Sequence, residues 1–179
     1  MVKSIVIPHD PSRSPRLRHL ATASEFQAAV DGWLEPIEMP ALNVTVYVNE
    51  AARREQQPIN CRAMAIWWLH TANPMQHPII LGDVVLTGIA EDGGGTDVPD
   101  DLVQDIFDAR EFVVQIRPPK DTVWYDTFAR FADVFDAATW CMLLTYTLHP
   151  GSSIRLCSRE VTVGSESFDD SFRGSDAPW

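Results

Sequence analysis

Five histidines, His9, His19, His70, His77 and His149, are the first residues to ask about chemistry, since imidazole serves both as metal ligand and as general base. No two stand at the His-x-x-x-His spacing that puts both rings on one helix face. His70 and His77 straddle a proline-containing stretch and could share a metal with a carboxylate. A zinc site needs three or four supported ligands, so solvated loop histidines account for the pair, and neither a metal nor a cofactor is expected. Gly93-Gly94-Gly95 lacks the Gly-Lys-Ser/Thr ending of a phosphate cradle. Glu91, Asp92 and Asp97 surround it with charge that repels phosphate, so it reads as a flexible loop. Carboxylates cluster at Asp100-Asp101, at Asp169-Asp170, and at Asp121 with Asp126. Acid–base catalysis wants one carboxyl desolvated beside an ionised one, whereas these fall at helix starts, turns and the C-terminal tail. No Gly-x-Ser-x-Gly elbow occurs. Cys61, Cys141 and Cys157 form no Cys-x-x-Cys pair, and a thiol nucleophile needs a neighbouring base that no motif supplies. No residue is assigned a catalytic role.

The composition sets limits on partners. The 14 basic and 25 acidic residues give 179 residues a net charge of −11, which repels polyanions, so direct nucleic-acid binding is not expected. Lys3, Arg13, Arg16 and Arg18 face only Asp10 and Glu25 in the N-terminal segment. Without interleaved aromatics this local excess reads as charge that protects strand edges. Three unpaired cysteines fit a reducing compartment, and Met1-Val2-Lys3 leads straight into a short strand rather than a signal core. The longest apolar run, near Ala63 to Leu69, is far below the ~20 residues that cross a bilayer. A cytoplasmic protein with no membrane partner is expected.

The elements that would hold any site are legible from periodicity. Ile5–Ile7 reads as a buried strand ended by Pro8, and Arg16–Leu20 as its hairpin partner. Thr22 and Glu25 form a capping box for a helix whose stripe is Phe26, Val30 and Trp33, with Gly32 as its stop. Leu34–Met39 carries Pro36 and so belongs at an edge or bulge, while Val44, Val46 and Val48 alternate as a half-buried strand. A helix over 60–70 is apolar on most sides, with Cys61, Met64, Ala65 and Trp68 on one stripe, and should lie between layers. Val84–Gly88 is a strand after a Gly82-Asp83 turn, and a helix begins in the acidic stretch 97–101 with Leu102, Val103, Ile106 and Phe107 inward. Then follow a strand over 112–117, a turn at Pro118–Asp121, and a strand over 124–131. A helix capped by Asp133 runs to Pro150-Gly151, and a closing strand covers 154–163. The fold class is α+β, a mixed sheet with helices packed on it: an N-terminal ββαββαβα section over 1–109 and a smaller ββαβ module over 110–163. A flexible acidic tail follows over 164–179. Whether the two sections share a sheet is left open.

Several separated stretches together resemble a known domain family. They are Val30-Asp31-Gly32-Trp33-Leu34-Glu35, Tyr47-Val48-Asn49-Glu50, Asn60 with Ala63, and Gly82-Asp83-Val84-Val85-Leu86-Thr87-Gly88. The family is of unknown function, occurs in bacteriophages, plasmids and actinobacterial genomes, and the similarity covers about Ser4 to Phe107. It commonly has two glycines where this chain has Asp31-Gly32, and a Glu-Gly-Lys-like turn where it has Ala51-Ala52-Arg53. The later part resembles small phage accessory modules only generically, through Trp124, Arg130-Phe131 and an alanine-rich helix. The resemblance implies a phage or mobile-element accessory protein that binds a host protein in the bacterial cytoplasm, in host takeover or counter-defence. The polar positions it shares with the family, Asn49, Glu50, Asn60 and Asp83, become its binding candidates. Their structural alternative is a strand end at Asn49, a helix cap at Asn60 and a turn at Asp83.

Six tryptophans are many for this length, and Trp67, Trp68 and Trp124 are the interface candidates. A homo-oligomer stays open. Two other readings stand beside protein binding. One is an acidic DNA-mimic decoy built on Glu91–Asp108 and Glu166–Asp176. The other is an enzyme of unrecognised type using the four shared polar positions, which must then converge in one pocket.

Overall fold

Alternating apolar side chains in Val2–Ile7 (β1), Val44–Asn49 (β4) and Val84–Glu91 (β5) make these the inner strands of an antiparallel sheet. The computed structural model describes residues 1–71, 79–91, 94–109 and 111–159. Arg16–Leu20 (β2) and Leu34–Met39 (β3) close the sheet in the order β2-β1-β5-β4-β3. Pro36, which has no N–H to give a ladder, thus sits in an edge strand as expected. Gly94–Thr96 (β6) pairs with the far end of β5, so this part of the glycine run is strand and not loop. The reason is a close crossing. A Cβ on Gly88 would stand 2.5 Å from the Asp97 carbonyl oxygen, so only glycine lets the returning chain pair there.

Both faces of the sheet are covered. Ile5, Ile7, Val46, Val84 and Leu86 point into the main core, and Val6, Leu20 and Val85 form a smaller one beneath the helix Ala23–Val30 (α1). Consequently β4 is buried almost throughout rather than on one face, with Thr45 and Asn49 enclosed on the α1 side. The Thr22–Glu25 capping box is present. The helix stops differently from expectation: Asp31, at φ 55° and ψ 49°, takes the left-handed cap position, and Trp33 lies beyond the helix, 70% exposed.

Cys61–His70 (α2) packs on the main core through Ala63, Ile66 and Trp67, while Cys61 itself is exposed and not part of a buried stripe. Asp100–Phe107 (α3) follows β6 with Leu102 inward, and Asp100 pairs with Lys3. The remaining chain forms a second antiparallel sheet. It contains Glu111–Arg117 (β7), Tyr125–Phe131 (β8) and Ser153–Arg159 (β9) in the order β8-β7-β9, with Val134–Thr145 (α4) packed on it and on α2. Asp133 caps α4 as expected, accepting from the backbone N–H of Phe135 and Asp136, but the helix ends at Thr145, short of Pro150.

The α+β reading holds, with β6 as one extra strand, and the two sections do not share a sheet. They do share a core: Phe112, Val134, Phe135 and Ala137 belong to the same buried cluster as Ile5, Val46 and Leu86. The boundary near residue 110 therefore separates two sheets but not two cores. The acidic tail over 164–179 lies outside the described residues. Among the described residues no helix is long and apolar enough to cross a membrane.

Candidate functional site

Asn60 begins α2 as an N-cap, its Oδ1 accepting from the Ala63 N–H at 3.0 Å. Its Nδ2 does more, donating to the carbonyls of Ile7 at 3.0 Å and Gly82 at 2.9 Å from a fully buried position. One side chain thus ties the end of β1, the Gly82-Asp83 turn and the start of α2 together. Asn49 acts similarly at the end of β4. Its Nδ2 reaches the Asp31 carbonyl at 2.7 Å and Glu55 Oε2 at 2.9 Å, and its Oδ1 accepts from the Ala51 N–H at 2.8 Å. Gly32 is needed because of this amide: a Cβ there would fall 2.3 Å from three side-chain atoms of Asn49.

The segments so tied surround one cleft of about 550 Å³ on the α1 face of the sheet. With only eight residues, α1 leaves the neighbouring part of that face open. Arg13, Arg16, Arg18, His9 and Asp83 line the cleft over a floor that includes Val6 and Ala29. Asp83 Oδ1 accepts from the His9 backbone N–H at 3.0 Å and lies 2.7 Å from His9 Nδ1, while Oδ2 meets Arg13 at 3.3 Å. Arg62 of α2 donates to the carbonyls of Arg13 at 2.7 Å and Pro11 at 2.9 Å, which fixes the loop bearing Arg13. Of the four shared polar positions, then, Asp83 faces the cleft. Asn49 and Asn60 hold its walls from behind, and Glu50 is exposed, its N–H bonded to the Trp33 carbonyl. The four do not converge in one pocket. The basic excess noted in the N-terminal segment is what the sequence offered for this cleft.

The expected interface tryptophans sit mostly inside. Trp67 is in the main core, Trp68 packs against it, and Trp124 is half-buried with the guanidinium groups of Arg117 and Arg155 at 4.8 and 4.4 Å from its ring centre. Besides Trp33 and scattered aliphatic residues, exposed apolar side chains gather on the outer edge strand β8 and along α4 to its cap. Phe128 is 85% exposed, and Tyr125, Trp140, Leu143 and Tyr146 are exposed as well. The Phe131 and Trp140 rings, 6.2 Å apart, join strand to helix. Phe128 sits where the β7–β8 register shifts, at φ 63°, a conformation unfavourable for a bulky side chain. Asp126 holds it there, accepting from the Phe128 N–H at 2.9 Å while both its oxygens take the Arg130 guanidinium at 2.9 Å. The Thr127 hydroxyl, bonded to the Val114 carbonyl at 2.9 Å, anchors the other side of the bulge. No pattern of residue types marks such a bulge.

Among the described residues no group of three or more His, Cys, Asp and Glu could hold a metal ion, and His77 lies outside those residues. His70 borders a second cleft between α2, α3 and β9, where desolvation lowers its pKa and Asp105 acts in the opposite direction. The thiols differ sharply. Burial pushes Cys141 up to about 12, whereas Cys61 is exposed. In the folded protein a disulfide reagent at neutral pH should modify Cys61 fast and Cys141 only after denaturant is added. Equal rates for the two would refute this placement. Because the raised thiol pKa favours the neutral folded form, its contribution to stability is full below the unfolded value near 9 and is lost as pH climbs from there towards about 12.

A family model described as a domain of unknown function, DUF3846, matches residues 2–111, a span that contains the four shared polar positions, β1 to β6 and α1 to α3. No curated protein and no solved structure matches the chain.

Proposed function

We propose that this chain, which belongs to the DUF3846 family, is a non-enzymatic binding protein that engages another protein through the β8 edge of its second sheet. The observation that carries this reading is Phe128, held at a left-handed backbone angle and 85% exposed. A bulky residue there costs about 1–2 kcal/mol, and an exposed ring recovers none of that by burial. Strain of this kind persists only where surrounding bonds over-determine it, as Asp126, Arg130 and Thr127 do here. A partner pocket that buries the ring supplies the missing return, and aromatic anchors of this sort dominate interface energies. Following the phage and mobile-element resemblance, the proposed partner is a host protein in the bacterial cytoplasm. The acidic-decoy alternative rests on the segments 91–108 and 166–176, of which the second lies outside the described residues.

The test combines stability with capture. Phe128→Gly should bind the host partner at least about tenfold more weakly, because an aromatic anchor is worth 2 kcal/mol or more. The same change should leave thermal stability equal or raise it by about 0.5–1 kcal/mol through relief of the left-handed angle. A lysate pull-down that retrieves nothing with the wild type, or the same partner equally well with F128G, would end this proposal.

A further inference from the structure

We infer that the cleft beside β2 binds a small phosphorylated molecule carrying hydroxyl or amino donors, of mononucleotide size. Cross-strand register places Arg16 opposite Val6 and Arg18 opposite Ser4, so both arginines stand on the α1 face of the sheet, where the cleft opens. Arg13 comes to the same cleft from the loop pinned by Arg62 and Asp83. Neither Arg16 nor Arg18 makes an ion pair among the described residues, and in a chain of net charge −11 two such guanidinium groups at one cavity stand out. Guanidinium forks match phosphate oxygens bidentately, which a scattered solubility charge has no need to do. The cavity of about 550 Å³ suits a small ligand.

The other linings narrow the class. Val6, Ala28, Ala29 and Pro58 give apolar wall for a ring or sugar body. Asp31 lines the same cleft and offers an acceptor for the hydroxyl or amino hydrogens of such a body. A nucleic-acid polymer is disfavoured because its further phosphates would meet the acidic remainder of the surface. This inference concerns the first sheet and is independent of the β8 edge.

Titration calorimetry on the full chain at low salt would use AMP, ribose 5-phosphate, inorganic phosphate and a short single-stranded DNA as probes. AMP or ribose 5-phosphate should bind, and the double variant R16E/R18E, altered only at exposed side chains, should raise the Kd at least about tenfold. Amide shift mapping on the unaltered chain should move signals of residues 13–18, 28–31 and 82–83 on adding AMP. The inference fails if neither phosphorylated body binds, or if the double variant binds as well as the wild type. It fails equally if inorganic phosphate matches AMP, if DNA outcompetes the small probes, or if the shifted signals lie elsewhere.

Discussion

Replacing Asn60 by alanine should lower the unfolding free energy by about 3–5 kcal/mol, a large fraction of the roughly 5–15 kcal/mol that is typical of a domain. Three losses add. The helix loses its cap, at about 1 kcal/mol. The carbonyls of Ile7 and Gly82 each lose a donor in a place water does not reach, at about 1–3 kcal/mol apiece. The truncation also leaves a small void under β1. Urea denaturation measures the total, and two further variants apportion it. Asn60→Ser keeps an acceptor for the Ala63 N–H and should recover only about 1 kcal/mol of the loss. Asn60→Asp keeps the cap but turns a carboxylate towards two carbonyl oxygens, and should be at least as damaging as alanine. If N60A costs under about 1 kcal/mol, the clamp assigned to this side chain does not exist.

Asn60 also shows what residue order can and cannot convey. An Asn just before a helical apolar stripe announces a cap, because the relevant bond spans three residues. Its other two partners are 53 and 22 residues away, and no local pattern encodes a bond of that separation. Strands, helices and caps were legible for the same reason that the cap was: each reports a short-range periodicity or side-chain bond. The exceptions have a common cause in tertiary contact. Gly94–Thr96 is poor in strand-forming residues and becomes a strand because β5 extends past its neighbours and offers it a ladder. The tryptophans of α2 suggested an interface because amount of apolar surface can be counted from residue types, but which surface remains outside cannot. The main core and α4 cover α2, and the outward-facing rings belong to other residues, Phe128, Tyr146 and Trp33 among them. Similarly, Arg13, Arg16 and Arg18 were visible as local charge, whereas their shared cleft depends on how short α1 is and on where Asp83 meets the loop.

The glycine after α1 should behave opposite to the rule for helix stops. Gly32 invites the reading that it supplies a left-handed cap, so that alanine would fail by backbone strain. Asp31 already occupies that conformation, and Gly32 does not. What alanine would meet at position 32 is the Asn49 amide, with its Cγ, Nδ2 and Oδ1 each 2.3 Å from the new methyl. That amide cannot swing aside cheaply. It is 3% exposed and held by the Asp31 carbonyl, Glu55 and the Ala51 N–H. Gly32→Ala should therefore cost about 2–4 kcal/mol, the range for overpacking combined with broken buried hydrogen bonds. Asp31→Gly should be neutral or stabilise by up to about 1 kcal/mol, because glycine adopts φ 55° without strain. Coupling separates this cause from a general intolerance at the turn. Once Gly32→Ala has displaced the amide, Asn49→Ala should cost at least about 1 kcal/mol less than it does in the wild type, as expected for residues sharing one network. If Gly32→Ala proves harmless while Asp31→Gly destabilises, or if the costs of Gly32→Ala and Asn49→Ala simply add, then steric contact with Asn49 is not what keeps a glycine at this position.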